Sequence, residues 1–219
     1  MKSLGISFIL WYNFGGENMM ENYKQFEDFL KSLKYRPKLL LHSCCGPCST
    51  SVLELLKKYF DITVYYYNPN IYPESEYRKR IKEQEKVLSI FDGLPLIEGD
   101  YDYSIYEAKT SGLENEKEGG LRCKACIDFR MEKACLYAKE NNFDFFTTTL
   151  SVSPHKNSKM INEIGFKLEN KYSVPYLYSD FKKKDGYKRS IELSKEFDIY
   201  RQDYCGCKHS IKNLNNKEF

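Results

Sequence analysis

Apolar residues recur along this chain in two alternating rhythms. From Asn22 to Leu33 they fall at Tyr23, Phe26, Phe29, Leu30 and Leu33, the spacing of one helix face, and Arg36-Pro37 ends the pattern. Lys38 to His42, with Leu39, Leu40 and Leu41 inside it, is the short apolar run of a buried strand. A helix is predicted over Ser51–Tyr59, with Val52, Leu53, Leu55 and Leu56 opening its apolar face and Ser49 and Thr50 as caps. Ile62–Tyr67 is β-branched and aromatic, and Asn68-Pro69-Asn70 stops it, which predicts a second strand. Glu74–Phe91 is a long charged helix, Pro95–Glu98 a third strand and Phe143–Leu150 a fourth. Between the last two, Cys126–Asn141 is helical, with Ile127, Met131, Ala134, Cys135 and Ala138 on one face. Tyr101–Ala108 carries no decisive pattern. Beyond the turn Ser153-Pro154-His155-Lys156-Asn157, a helix runs to about Phe166 or Leu168, Pro175–Tyr178 is a short strand or loop, and Ile191–Glu196 is helical.

Strands alternating with helices predict an α/β fold, a parallel sheet covered on both faces. Functional loops then gather at the carboxyl ends of the strands. Four loops follow predicted strands: the turn at Cys44, Asn68-Pro69-Asn70, Glu98-Gly99-Asp100 and Ser151–Asn157. One pocket can collect all four.

Composition keeps this picture. Hydrophobic residues at 42% and charged residues at 30% fit a globular domain rather than a disordered chain. The apolar run Ile6–Tyr12 is too short to span a bilayer and has no small-residue cleavage site after it. Residues 1–19 read as a loose extension outside the fold, or as an upstream start before Met19 or Met20, and 20–219 as a single domain. Net charge is only +3, but Lys182–Phe219 holds 10 Lys and Arg against 6 Asp and Glu, so the basic excess lies in the C-terminal region. Such an excess is either a solvated surface or a phosphate-facing patch.

The cysteines change the picture most. Seven of eight fall into three clusters: Cys44/Cys45/Cys48, Cys123/Cys126 and Cys205/Cys207. With no convincing signal peptide the expected compartment is the cytoplasm, where such clusters bind metal or do chemistry more often than they form structural disulfides. The first cluster lies in a strand-to-helix turn, where the positive end of the helix favours thiolate. Cys123-x-x-Cys126 lets two sulfurs reach one metal centre, and four thiolates from two segments make either a zinc site or an iron–sulfur cluster. An adjacent pair joined to a CxxC favours the cluster. Cys205-Gly206-Cys207 is a redox pair or a two-thiolate chelate, with Cys48 free to join it around a second metal. Cys135, on the apolar face of its helix, is expected to be a buried small hydrophobe. His42 at the strand end is packed rather than a ligand, and His209 is solvated. His155, in a turn after a strand, is placed to touch an anionic substrate or donate a proton.

Cys45-Gly46-Pro47-Cys48 is also the CGPC of thioredoxin-like oxidoreductases. That reading leaves the downstream cysteines unexplained, lacks the tryptophan before the motif, and finds no Thr-Pro for a cis-proline. A zinc-stabilised RNA-binding module is a further alternative. A sulfur transferase of the PP-loop type would need an SGGxDS-like phosphate loop, which is absent from the sequence.

Taken in order, LLLHSCCGPCST, DITVYYYNPNIYPESEYRKR, EGGLRCKACIDFRM, FFTTTLSVSPHKN and DFKKKDGYKRSIELSKEFDIYRQDYCGCKHS resemble the cobalamin-independent epoxyqueuosine reductases, the QueH family, over about Lys38 to Ser210. The resemblance implies a Rossmann-like (PP-loop or HUP-like) three-layer sandwich with a mostly parallel sheet. It implies removal of the epoxide oxygen of epoxyqueuosine at the wobble position of the tRNAs for Tyr, His, Asn and Asp, the last step of queuosine synthesis. It implies a [4Fe–4S] cluster, placed by the family's motifs on Cys44, Cys45, Cys123 and Cys126. Cys205 and Cys207 correspond to a pair that is redox-active or that holds an additional mononuclear iron together with Cys48. An external electron donor is implied, and neither cobalamin nor a membrane. On this reading Lys182, Lys183, Lys184, Lys188 and Arg189 contact tRNA phosphates, Tyr72, Tyr187 or Tyr200 stack on anticodon bases, and His155 or a tyrosine supplies a proton.

Overall fold

The structure, a computed structural model, describes residues 22–215. The expected extension over 1–19 lies outside them. Asn22 caps the first helix, α1 (Tyr23–Ser32), its side chain accepting from the Gln25 N–H at 3.1 Å. There follow β1 (Lys38–His42), α2 (Gly46–Leu56), β2 (Asp61–Tyr66), α3 (Glu74–Ile90), β3 (Leu96–Glu98), α4 (Tyr103–Thr110) and α5 (Leu121–Glu140). The chain continues through β4 (Phe145–Thr148), a 3-10 turn (Thr149–Val152), α6 (Ser158–Tyr172), α7 (Gly186–Glu196) and α8 (Lys208–Asn215).

The four strands are parallel, in the order β3-β2-β1-β4. β1 is central, with Leu40 opposite Thr63 on one side and Phe146 on the other. Its three leucines are fully buried, which is why that run is apolar without alternation. α2 packs with α3 and α7, while α5 packs with α4 and α6 and against β1 and β4. This is the expected α/β sandwich, a parallel sheet between helical layers. The chain winds from β1 outward through β2 to β3, then returns across the sheet to β4 on the other side of β1. The carboxyl ends of β1 and β4 therefore open onto the point where the strand order reverses, the usual ligand crevice of such sheets.

Local chemistry moves several expected boundaries. α2 begins at Gly46 rather than Ser51, because Pro47 suits a first helical turn and needs no N–H partner there. Ser49 and Thr50 are therefore not caps. Their hydroxyls donate back to the Gly46 and Pro47 carbonyls at 2.7 and 2.9 Å. α5 begins at Leu121 rather than Cys126, so both cysteines of the CxxC are helical. β4 stops at Thr148, whose hydroxyl accepts from the Leu150 N–H at 3.2 Å and starts the 3-10 turn. Pro175–Tyr178 contributes one bridge, Tyr176 with Phe146, and no strand. Tyr101–Ala108 resolves into α4, capped by Asp102.

Gly165 of α6 faces the fully buried Tyr176 ring, and a Cβ there would run into the ring carbons. The Tyr176 hydroxyl is held by Asn162 Oδ1 at 3.1 Å and by Ser179 Oγ at 2.8 Å, so the ring cannot swing aside freely. Gly165→Ala is expected to lower stability by about 1–3 kcal/mol in urea titration; an unchanged midpoint would show that the ring yields.

Candidate metal centre and active site

The turn after β1 holds three sulfurs together. Cys45 is the extended residue that precedes α2, and Cys48 comes back over it one helical turn later. The sulfurs of Cys44, Cys45 and Cys48 lie within 4.8 Å of one another, with Cys44 and Cys45 at 3.8 Å. Thr149, just beyond β4, clamps Cys44: its hydroxyl accepts from the Cys44 N–H at 3.1 Å and donates to Cys44 Sγ at 3.3 Å. Gln84 Oε1 of α3 accepts from Ser43 at 2.6 Å and from Ser49 at 3.1 Å, one residue each side of the trio. A Cβ on Gly46 would sit 3.0 Å from the Glu83 carbonyl oxygen, so the tip of α2 presses on the α3 backbone.

Crowding three thiols makes them titrate as a set. Hydrogen bonds from Cys44 and Cys48, with the charge of Arg80 adding, hold Cys45 well below the usual thiol range. Cys44 is pushed up to about 12, chiefly because it donates to Cys45. Cys48, donating to both, is pushed up as well. The trio therefore shares its protons unequally, and a bound metal would displace them.

Cys123 and Cys126 stand on the first turns of α5. The Gly119 N–H donates to Cys123 Sγ at 3.2 Å. Arg122 Nη1 fixes the preceding loop by donating to the carbonyls of Leu113, Glu114 and Glu116. Burial raises the Cys126 thiol, and the Arg130 charge opposes that. Arg130 Nη1 lies 3.9 Å from Cys126 Sγ, and Nη2 donates to Asn68 Oδ1. Asn68 Nδ2 in turn donates to the Ser43 carbonyl at 2.9 Å. Arg130 and Asn68 thus tie the CxxC helix to the cysteine turn.

Cys205-Gly206-Cys207 closes the site between α7 and α8. Gly206 has φ +103, and a Cβ there would meet Arg80 Nη1 at 2.9 Å, so only glycine fits. Arg80 Nη1 donates to the Cys205 carbonyl at 3.2 Å, the Tyr72 N–H to the Gly206 carbonyl at 2.8 Å, and the Gly206 N–H to Ser210 Oγ at 3.2 Å. Lys156 Nζ is 3.4 Å from Cys205 Sγ. A hydrogen bond from Cys207, then the Lys156 and Arg130 charges, hold Cys205 well below the usual thiol range, while donation to Cys205 raises Cys207.

Cys44, Cys45, Cys48, Cys205, Arg130 and Lys156 line one cavity of about 720 Å³, and Cys123, Cys126 and Cys207 are not among its lining residues. Arg130 feels a sulfur from each of the three clusters, Cys126, Cys44 and Cys205, and Lys156 feels sulfurs from two, Cys205 with Cys123 and Cys126. Three of the four expected loops line the cavity. The loop after β3 does not, because Gly99 packs against Tyr65 and Tyr67 instead.

His155 is exposed at the rim. His42 is buried, bonded to Thr148 Oγ1 at 2.8 Å and the Tyr67 carbonyl at 3.2 Å, and burial lowers it to about 3. Cys135 is fully buried, as its helical position predicted. Of the basic residues, Lys182 pairs with Asp180 at 3.4 Å, Lys184 with Glu27 at 3.2 Å, and Arg189 grips Glu54 of α2 at 2.7 and 2.9 Å. Lys183 and Lys188 are exposed. Arg80, Arg130 and Lys156 are the site residues that sequence reasoning missed. Two left the same faint trace: Arg80 shares a buried helical face with Tyr77, Ile81 and Gln84, and Arg130 one with Cys126, Ile127 and Ala134.

A model of the family described as "Epoxyqueuosine reductase QueH" matches residues 39–213. The chain is 46% identical over 182 residues to the epoxyqueuosine reductase QueH of Streptococcus pyogenes, covering 81% of this chain and 71% of that one. It is 48% identical over 179 residues to that of Staphylococcus epidermidis (78% and 75%) and 42% over 180 residues to that of Acinetobacter baylyi (81% and 82%). A solved structure, the U34-tRNA thiolase NcsA from Methanococcus maripaludis with its [4Fe-4S] cluster, is similar at TM-score 0.49 and 11% identity, over 96% of this chain and 73% of that one, a likeness too low to carry an argument.

In metal-free protein, Cys205 is expected to alkylate at lower pH than Cys207. Lys156→Met removes the cation that favours the thiolate, so the Cys205 profile should move up by about 1–3 pH units, read by mass spectrometry after iodoacetamide pulses. An unmoved profile would contradict the pairing.

Proposed function

The chain belongs to the epoxyqueuosine reductase QueH family, and from that premise we propose that its cavity receives epoxyqueuosine at the wobble position of tRNA for reductive removal of the epoxide oxygen, with Cys44, Cys45, Cys123 and Cys126 as the residues that would hold a [4Fe–4S] cluster. It is an oxidoreductase of queuosine biosynthesis that acts on tRNA. The observation that supports the mechanism is geometric: the sulfurs of Cys44, Cys45 and Cys48 lie within 4.8 Å of one another, Arg130 Nη1 is 3.9 Å from Cys126 Sγ, and Lys156 Nζ is 3.4 Å from Cys205 Sγ.

The residues fit such a cluster by their chemistry. Thiolates are its usual ligands, and Arg80, Arg130 and Lys156 supply the positive charge that an anionic thiolate-bound centre calls for. When bound, the cluster supplies electrons one at a time from an external donor. Converting the epoxide to an alkene takes two electrons and two protons and releases water. Cys205, held as thiolate beside Lys156 Nζ, serves with Cys207 either as a dithiol that gives both electrons and closes to a disulfide, or with Cys48 as a ligand set for a mononuclear iron. Lys156 Nζ and the His155 imidazole are proton-bearing groups in the cavity wall. No cobalamin is required.

The tRNA approaches over α7 and the cavity rim. Lys183 and Lys188 meet phosphates, with Lys182, Lys184 and Arg189 released to them only where their acidic partners give way. Tyr187, under Arg201, lines the cavity, and two further rings carry cations above them, Tyr200 under Lys79 and Tyr72 under Lys208. These rings stack on bases splayed from the anticodon loops of the Tyr, His, Asn and Asp isoacceptors. Residues 20–219 act as one domain in the cytoplasm. Among the described residues no helix is long and apolar enough to cross a membrane.

Anaerobic, chemically reduced protein should convert epoxyqueuosine in tRNA to queuosine, read as the loss of one oxygen by mass spectrometry of nucleosides. Cys205→Ser and Cys207→Ser should each abolish turnover and leave the visible absorption in place; full activity in both would sink either role for the pair. Lys183→Glu with Lys188→Glu should weaken tRNA binding and lower its salt slope by about 2, and unchanged binding would move the interface elsewhere.

A further inference from the structure

Three arginines are buried, and only one lacks an evident reason to be. Arg80 has Glu76 at 2.7 Å, and Arg122 has its three loop carbonyls. Arg130, 3% exposed, has the Tyr67 carbonyl at 3.5 Å, Asn68 Oδ1 and Cys126 Sγ at 3.9 Å. Among the described residues no carboxylate lies within ion-pair distance of it. A buried cation with no anionic partner bears a desolvation penalty that a nearby anionic centre would offset. The neighbour that a metal centre would make anionic is a sulfur, Cys126 Sγ, 3.9 Å from Arg130 Nη1.

We propose that Arg130 is a positioning residue for the cluster, the fixed counter-charge that raises its one-electron reduction potential. This rests on the reading of Cys44, Cys45, Cys123 and Cys126 as cluster ligands. Reduction takes one electron from an external low-potential donor and adds one negative charge to the thiolate-bound centre. A guanidinium fixed beside it stabilises the more negative state, and its N–H directed at Cys126 Sγ does so as well. Asn68 holds the guanidinium in register with the other ligand segment, through its bond to the Ser43 carbonyl at 2.9 Å. Arg130 therefore sets the potential at the junction of the two ligand segments, where a purely structural strut would leave it unchanged.

The test compares wild type, Arg130→Lys, Arg130→Gln and Asn68→Asp after anaerobic reconstitution. Iron and sulfide are counted, folding is checked by circular dichroism, and the midpoint is taken by dithionite titration with mediators. Arg130→Gln should shift the midpoint to more negative values, and Arg130→Lys should stay close to wild type. Asn68→Asp keeps the guanidinium but gives it a carboxylate partner, and should shift the midpoint in the same direction as Arg130→Gln. It decides alone if Arg130→Gln does not fold. A folded Arg130→Gln that holds no cluster, beside a loaded Arg130→Lys, would express the same need for charge. Wild-type midpoints in both Arg130→Gln and Asn68→Asp, at full iron content, overturn the proposal while leaving the ligand assignment intact. A wild-type chain that takes up no iron or sulfide fails the ligand assignment itself.

Discussion

Parallel strands in the order β3-β2-β1-β4 reverse their winding between β1 and β4, and the site depends on that gap. The turn after β1 delivers Cys44, Cys45 and Cys48 to it, and the 3-10 turn after β4 delivers Thr149 to hold Cys44 in place. Asn68, just past the end of β2, bonds inward to the Ser43 carbonyl. Three strand ends are thus coupled through backbone and short side chains, which leaves little freedom in where the first cluster can sit. The remaining cysteines come from a helix and a late loop, and each is docked to this frame by an arginine: Cys126 by Arg130, Cys205 by Arg80.

Charge explains why those struts are arginines. A guanidinium can reach a carbonyl, an amide oxygen and a sulfur at once from one planar fork. Arg80 is answered by Glu76 at 2.7 Å, whereas Arg130 has no carboxylate within ion-pair distance among the described residues and leaves its positive field open to an anionic centre. Without metal the sulfurs answer by sharing protons unequally, Cys45 and Cys205 falling and Cys48 and Cys207 rising. A bound metal centre would replace those protons and turn the same set of thiols into its ligands.

Much of this was legible in the sequence, and the reasons are local. β1 was readable to the residue because a doubly covered central strand is apolar throughout. The cysteine clusters were readable because their spacing is short. The start of α2 was misplaced because serine and threonine cap residues outweighed Pro47, whose ring already fixes a first helical turn. Arg80 and Arg130 were not legible as site residues because a cation in a charged helix looks the same in sequence whether it faces water or sulfur. Equally, the run from Lys182 to Arg189 does not display its partners: Asp180 is close in sequence, but Glu27 and Glu54 lie far upstream and are brought near only by the fold.

Clustered thiols that hold an iron–sulfur centre give the protein a colour and a fixed iron and sulfide content. The most direct measurement is the visible spectrum of anaerobically prepared protein, with iron and acid-labile sulfide counted per chain. The account predicts a brown protein with about four sulfides per chain, and iron in excess of sulfide if Cys48, Cys205 and Cys207 hold a further ion. A colourless, zinc-loaded protein that takes up neither iron nor sulfide after anaerobic reconstitution would contradict it.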